Sequence, residues 1–237
     1  MVADVPTRSQ INKAGRTARR YYVGRLPFDD TLGGALSVIQ AYRAAHQYPL
    51  GKANMGLRSI LRTVGCGGVV AQRLKRFWTI LNKLEREPTM ALSHMQDIGG
   101  CRAVLFSIAD VRAVEHRLRK NRTAQGYADY ITEPRSTGYR GVHVIVYYED
   151  HGGEDRAIEV QLRTQAMHEW AITVERLGGR IQADLKSGLG PPQVLDLLGA
   201  ASEAMAIEEQ GGIVSQELLE QMKKLRAAAV PYLEKRS

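Results

Sequence analysis

The chain has 237 residues, of which 44% are hydrophobic and 24% are charged, a composition typical of a globular protein with one sizeable domain and helical additions. It has no run of about 18 apolar residues, which excludes a membrane-spanning helix, and the stretch MVADVPTRSQINKAGRTARR lacks the apolar segment of a secretory signal, so we expect a cytoplasmic protein. The net charge of +8 indicates anionic partners, for which nucleotides and RNA both qualify; a solvated basic surface without a partner is the alternative.

The N-terminal part of the chain predicts helices on either side of less regular segments. Residues 1–26 carry six arginines and lysines against one acid, Asp4, and predict either a frayed arm or an amphipathic helix. Residues 29–47 predict a helix with an aspartate at its start. Residues 51–64 are mixed. Residues 65–68 (GCGG) predict a connector into the next helix, because they lack the lysine and threonine that end a P-loop.

Residues 70–87 predict a helix, because apolar side chains recur at i, i+3, i+4 and i+7 from Phe77. On another face, Lys75, Thr79 and Lys83 follow at intervals of four residues. This spacing puts the two ammonium groups about 12 Å apart along the helix axis, a span that suits a triphosphate. A solvated basic face is the more common meaning of such a row.

The remaining segments alternate between strands and helices. Strands are predicted at 101–107, 141–149 and 156–164, and helices at 109–120 and 165–178. Residues 188–192 (GLGPP) interrupt the chain, and the rest predicts one or two helices. The order predicts an α+β fold with a mixed β-sheet flanked by helices. We expect a basic helical extension (1–69), a core (70–180) and C-terminal helices (181–237).

Two carboxylates lie at predicted strand positions where they could carry chemistry. Asp97 precedes a pair of glycines at the start of a strand, a natural place for a magnesium ligand, although a turn cap is the alternative. Glu159 alternates with apolar neighbours and shares a strand face with Gln161 and Arg163. An ordinary solvent-facing strand is the alternative. Together, two such carboxylates can hold a metal ion and deprotonate a hydroxyl group.

An aromatic residue lies among cations in the turn STGYRG. Tyr139 has Arg135 before it and Arg140 and His143 after it, an arrangement that suits a ring stacking on a nucleobase. A half-buried packing residue is the alternative. His143 and His168 could bind phosphate or fill structural hydrogen-bonding positions.

Together, the segments from about Arg73 to Gly178 resemble the synthetase domain of the RelA/SpoT family, which includes stand-alone small alarmone synthetases. The family pattern R-x-K-x3-S-x3-K is matched, with threonine for serine, by Arg73, Lys75, Thr79 and Lys83. The pattern D-x-x-G-x-R is matched by Asp97, Gly100 and Arg102. The pattern Y-x3-P-K-x-x-G-Y-R-S-x-H is matched, with Arg135 for lysine, by Tyr130, Pro134, Gly138, Tyr139, Arg140 and His143. The pattern E-I-Q-I-R-T, followed by M-H, is matched by Glu159, Gln161, Arg163, Thr164, Met167 and His168.

The resemblance implies a nucleotidyltransferase-like sheet and a Mg²⁺-dependent pyrophosphokinase. Such an enzyme moves the β,γ-pyrophosphate of ATP onto a ribose 3′-hydroxyl and releases AMP. Asp97 and Glu159 would be the catalytic carboxylates and metal ligands, with Glu159 as metal partner or general base. ATP would be bound by Arg73, Lys75, Thr79, Lys83 and Arg102. The acceptor would be bound by Tyr130, Arg135, Tyr139 (stacking on the base), Arg140, His143, Gln161, Arg163 and His168.

The acceptor loop departs from the common family pattern at three positions. This chain has Arg135 where lysine is usual, Thr137 where asparagine or serine is usual, and Gly141 where serine is usual. The G-Y-R-G form resembles the toxic members, which modify the 3′ CCA end of tRNA, and the basic net charge fits an RNA acceptor. We therefore predict a tRNA acceptor and a toxin–antitoxin setting with an antitoxin partner. One alternative is GDP or GTP as acceptor, giving (p)ppGpp in the stringent response; another is a nucleotide- or RNA-binding regulator without catalysis. The apolar C-terminal helices could serve a homo-oligomer, an antitoxin or self-packing.

Overall fold

The computed structural model describes residues 5–122 and 124–234; Asp4 of the predicted basic arm lies outside them. The helices are α1 (Arg8–Gly24), α2 (Asp30–Ala45), α3 (Gln47–Val64), α4 (Phe77–Arg86), α5 (Ile108–Asn121), α6 (Gln165–Ile181), α7 (Pro192–Glu209) and α8 (Gln216–Leu233). The strands are β1 (Gly68–Leu74), β2 (Gly99–Leu105), β3 (Gly126–Asp129), β4 (Val142–Glu149) and β5 (Asp155–Thr164). Short 3₁₀ turns span Leu92–His94 and Leu185–Ser187.

The five strands form one sheet in the order β1-β2-β5-β4-β3. The β2–β5 pair is parallel and the other pairs are antiparallel, which confirms the predicted α+β fold with a mixed sheet. Glu159 on β5 lies between Gly100 on β2 and Ile145 on β4. This register places the carboxylate in the middle of the sheet.

One face of the sheet is covered by α3 and α5. Leu57 and Leu61 of α3 and Val111 of α5 pack there against alternate residues of the strands, such as Ala103 and Val160. Successive strand residues point to opposite faces, so the residues between these apolar ones face the other way. The strand alternation read from the sequence therefore directs the polar residues of β2, β4 and β5 to one common face.

The N-terminal helices carry α4. Ile11 of α1, Ile39 of α2 and Ile80 of α4 share a second apolar cluster. Arg19 of α1 donates from Nε to the carbonyl of Leu84 (2.6 Å), near the end of α4. Of the two alternatives for the N-terminal arm, the amphipathic helix is correct for the residues from Arg8 on.

Two sequence predictions of secondary structure are wrong. The predicted helix over 70–87 is a strand, β1, followed by a helix that begins only at Phe77, because Val70 pairs with Ala103 of β2 and the helical periodicity extends only over α4. The loop at 65–68 therefore leads into a strand. Residues 51–64, which had no assignment, lie within α3, and the four-residue strand β3 escaped detection.

The C-terminal region forms two helices, within the predicted one or two. The indole of Trp170 on α6 donates to the carbonyl of Leu198 on α7 (2.9 Å), which docks the C-terminal helices on the core. Within the described residues, no helix is both long and apolar enough to cross a membrane. The division of the chain at 69 and 180 stays a prediction, although the first boundary falls inside β1.

Candidate active site

A cavity of about 1260 Å³ opens on the polar face of the sheet. Its floor is formed by β2, β4 and β5, one wall by α4, and the opposite wall by the end of α6 and the segment 182–189. Pockets for a single small ligand usually measure about 300–1,000 Å³. The cleft is therefore large enough for two substrates side by side.

On the α4 side, two lysines meet one carboxylate. Nζ of Lys75 lies 2.7 Å from Oδ2 of Asp97, and Nζ of Lys83 lies 3.1 Å from Oδ1. Burial acts to raise the pKa of Asp97, but the two ammonium groups hold it below its usual value. Lys75 precedes α4, so the predicted helical row does not exist and the two ammonium groups lie much closer together than the predicted span.

In the middle of the sheet, Glu159 is fixed by two neighbours. Nδ1 of His143 donates to Oε1 (2.8 Å), and Nε2 of Gln161 donates to Oε2 (2.6 Å). Burial acts to raise the pKa of Glu159, but the hydrogen bond and charge of His143, followed by the hydrogen bond of Gln161, lower it to about 2. The carboxylate is therefore ionised at neutral pH, which suits a metal ligand and makes it a weak base until a partner leaves.

The hydroxyl of Tyr139 completes this network. It is hydrogen-bonded to Nε2 of His143 (2.5 Å) and accepts from Nε (3.1 Å) and Nη2 (2.7 Å) of Arg163. The residue is 2% exposed, and Arg135 and Lys186 each lie 5.7 Å from its ring centroid. Tyr139 thus positions His143 in this structure. Its predicted stacking on a base stays a prediction.

The structure brings most of the predicted site residues into one cleft. Those that line it are Arg73, Lys75, Thr79, Lys83, Asp97, Arg102, Arg135, Tyr139, His143, Glu159 and Gln161. Those outside the lining are Tyr130, Arg140, Arg163 and His168.

Arg140 is buried and paired inside the protein. It is 5% exposed, and its Nη1 lies 2.6 Å from Oε2 of Glu209 at the end of α7, away from the cleft. The predicted contact with the acceptor does not fit this position, because the guanidinium is already buried and paired. Arg163, 1% exposed, likewise holds Tyr139 and reaches no open space.

Several residues of the cleft escaped the sequence analysis. Asn82 and Arg86 lie on the same face of α4 as Thr79 and Lys83, so helical spacing alone could have found them. The segment 182–189 carries no motif, and only the fold brings it to the cleft.

The carboxylates of the cleft fit a magnesium ion. Within residues 5–122 and 124–234, no group of three or more histidine, cysteine or acidic side chains is arranged to hold a metal by itself. Mg²⁺ is commonly bound by one or two carboxylates together with substrate phosphates and water. Asp97 and Glu159 supply two ionised carboxylates in one cleft, which is the protein part of such a site.

Comparisons with known proteins agree with this geometry. Residues 72–176 match the family described as "Region found in RelA / SpoT proteins". The chain is 32% identical to the GTP pyrophosphokinase YjbM of Bacillus subtilis (strain 168) over 159 residues, which are 64% of this chain and 73% of the relative. The chain belongs to the RelA/SpoT family. A second relative, GTP pyrophosphokinase YwaC of the same strain, is 30% identical over 55% of this chain and 65% of its own length.

Solved structures of this family share the fold. Small alarmone synthetase 1 from Bacillus subtilis, bound to its product pppGpp, superposes with a TM-score of 0.63 at 26% identity, covering 81% of this chain and 97% of that one. A GTP pyrophosphokinase family protein from Streptococcus pneumoniae has a TM-score of 0.62 at 24% identity, covering 81% of this chain and 97% of its own. At this identity, the similarity is evidence for the shared fold only. The chain is thus an ATP-dependent pyrophosphokinase of a family that uses a divalent metal ion.

Proposed function

We propose that this chain transfers the β,γ-pyrophosphate of ATP to the ribose 3′-hydroxyl of GDP or GTP, forming ppGpp or pppGpp. The observation that carries the reaction is the placement of two ionised carboxylates, Asp97 and Glu159, on a cleft with cations on both sides. The guanine acceptor is supported by the relatives, which are named GTP pyrophosphokinases, and by the solved relative that holds pppGpp as product. These names favour the guanine alternative over the predicted tRNA acceptor.

On the donor side, cations bind the triphosphate. Lys75 and Lys83 now share the carboxylate of Asp97, and incoming phosphate groups replace that carboxylate as their partner. Asp97 would then be free to hold Mg²⁺ together with Glu159. The ion would supply positive charge against the phosphates, and Arg73 and Arg102, which also line the cleft, would add to it.

On the acceptor side, the 3′-oxygen forms a bond to the β-phosphorus of ATP. The bond from that phosphorus to the α,β-bridging oxygen breaks, and AMP leaves. Glu159 takes the hydroxyl proton. Its pKa of about 2 is low for a general base, so acceptor binding must weaken the bond from His143, whose departure raises the basicity of the carboxylate.

One of the three departures from the family pattern still supports a tRNA acceptor, because Arg135 lines the cleft. The other two departures have structural explanations. Gly141 has φ +149°, and a Cβ there would lie 3.2 Å from Cγ of Arg163. Thr137 is 8% exposed and packs beside Gly188, so it does not face an acceptor. Neither position therefore favours tRNA over a nucleotide.

The test supplies ATP labelled at the γ-phosphate, with Mg²⁺, and offers GDP, GTP and deacylated tRNA in parallel. We expect label on GDP or GTP together with AMP release. Label on tRNA alone would overturn the guanine acceptor and would support the predicted toxin with an antitoxin partner. Absence of both label and AMP would favour a nucleotide-binding regulator without catalysis.

A further inference from the structure

The segment 182–189 is a fixed wall of the cleft. Leu185, 1% exposed, packs in the cluster that contains Tyr139. Gly178 lets this segment approach α6, because a Cβ there would lie 2.6 Å from the carbonyl oxygen of Ala183. Asp184 binds Arg86 of α4 (2.6 Å), which joins the two walls. Side chains on this segment therefore have defined positions relative to the other walls of the cleft.

Lys186 points from this wall towards the acceptor side of the cleft. Its Nζ lies 2.9 Å from Oε1 of Glu175 and 5.7 Å from the ring centroid of Tyr139. The side chain is 32% exposed and lines the cleft, so a ligand can reach it. No residue of the family patterns lies in this segment, and Lys186 carries no role in the mechanism above.

Positive charge outweighs negative charge around Lys186. Burial, followed by the charge of nearby Arg163, lowers the pKa of Lys186, and Arg102 acts in the same direction. Glu175 is the acid that opposes them; burial acts to raise its pKa, but Lys186 and then Arg73 hold it below its usual value. Several cations around one carboxylate favour the entry of a further anion, since clustered like charges are unfavourable without a counter-charge.

We propose that Lys186 binds a phosphate group of the acceptor nucleotide, and that Glu175 is the positioning residue that holds the ammonium group in place until the acceptor arrives. This proposal rests on the proposed function. The acceptor is favoured over ATP because Lys186 lies beside Tyr139, whereas the lysines assigned to the triphosphate gather at Asp97. An ammonium group binds phosphate as a point charge, so no special fork geometry is needed.

The test measures steady-state kinetics of Lys186→Ala and Lys186→Arg with GDP varied at saturating ATP, and then with ATP varied at saturating GDP. A hydrogen bond to a charged group is worth about 1.5–3 kcal/mol, so Lys186→Ala should raise KM for GDP roughly 10–100-fold. KM for ATP should stay the same, and Lys186→Arg should restore part of the affinity. Lys120→Ala, which removes an exposed lysine at the end of α5, is the matched control and should change neither constant.

Equilibrium binding of GDP to the full chain, without ATP, distinguishes a failure of the proposed function from a failure of the role of Lys186. Wild-type protein that fails to transfer pyrophosphate to GDP or GTP overturns the proposed function. Wild-type protein that transfers normally, with a Lys186→Ala variant of unchanged KM and unchanged affinity for GDP, overturns the role of Lys186 alone. A rise in KM for ATP without a change for GDP would assign the residue to the donor and overturn the acceptor contact.

Discussion

The two sides of the cleft hold their charged groups in different ways. On the donor side, the side chains of Lys75 and Lys83 are 12% and 22% exposed and share one carboxylate. On the acceptor side, Tyr139, Arg140 and Arg163 are 2%, 5% and 1% exposed and are bonded within the protein. In the proposed function, the donor side exchanges its partners for phosphate, whereas these three residues of the acceptor side are held by bonds within the protein.

This difference indicates that some motif residues hold their neighbours in place instead of reaching the cleft. The four motifs contain both kinds: residues that reach the cleft and residues that keep those in place. Burial separates the two kinds, and burial follows from the fold rather than from the motif. Substitutions on the two sides of the cleft should therefore have different effects, on activity and KM or on stability.

The largest expected effect is the loss of transfer in Glu159→Gln. The substitution keeps the shape of the side chain but removes the negative charge needed for metal and proton, so AMP release should fall at least about 100-fold. Circular dichroism and melting should show an intact fold. Asp155→Asn, at the exposed start of the same strand, is the matched control and should keep full activity. Near-normal AMP release from Glu159→Gln would contradict the assigned role.

The next effect is on stability and concerns the acceptor-side scaffold. Arg140→Leu leaves Glu209 as an unpaired, largely buried carboxylate, which costs on the order of 3–5 kcal/mol in a buried pair. The free energy of unfolding, measured in urea, should drop accordingly, and Glu209→Gln in the same protein should recover part of it. Glu208→Gln, on the exposed side of the same helix, serves as the control. A stable Arg140→Leu protein with a raised KM for GDP alone would mean that Arg140 contacts the acceptor after all.

A smaller effect is expected on the donor side. Lys83→Ala should leave the fold intact and raise KM for ATP by about tenfold, because one charge-assisted bond to phosphate is lost. KM for GDP should be unchanged in the same protein. An unchanged requirement for ATP would remove Lys83 from the donor site and would leave Asp97 as its only partner.

Part of the fold and of the candidate site could be predicted from the sequence, and the rest could not, for physical reasons. The alternation in β5 placed Glu159 and Gln161 on one face correctly, because strand periodicity depends only on local geometry. The helix predicted over 70–87 was wrong before Phe77, because β1 is stabilised by pairing with β2, a long-range interaction that no local pattern records. Glu209 and Lys186 come to the site through the docking of α7 and of the segment after α6. Their neighbours in sequence give no sign of this.

The smallest effect tests how firmly Glu159 is held. Its pKa in the folded protein, about 2, is below the usual value for glutamate, so the ionised form adds stability that is complete above about pH 5 and is lost as the pH falls towards 2. Between about pH 5 and pH 4 this residue alone should remove roughly 0.5–1 kcal/mol from the free energy of unfolding. Glu159→Gln should flatten that part of the pH profile relative to wild type. Parallel pH profiles for wild type and Glu159→Gln would show that His143 and Gln161 do not hold the carboxylate in solution as they do in the structure. The donor and acceptor sides would then differ less in how firmly they hold their charged groups than their burial indicates.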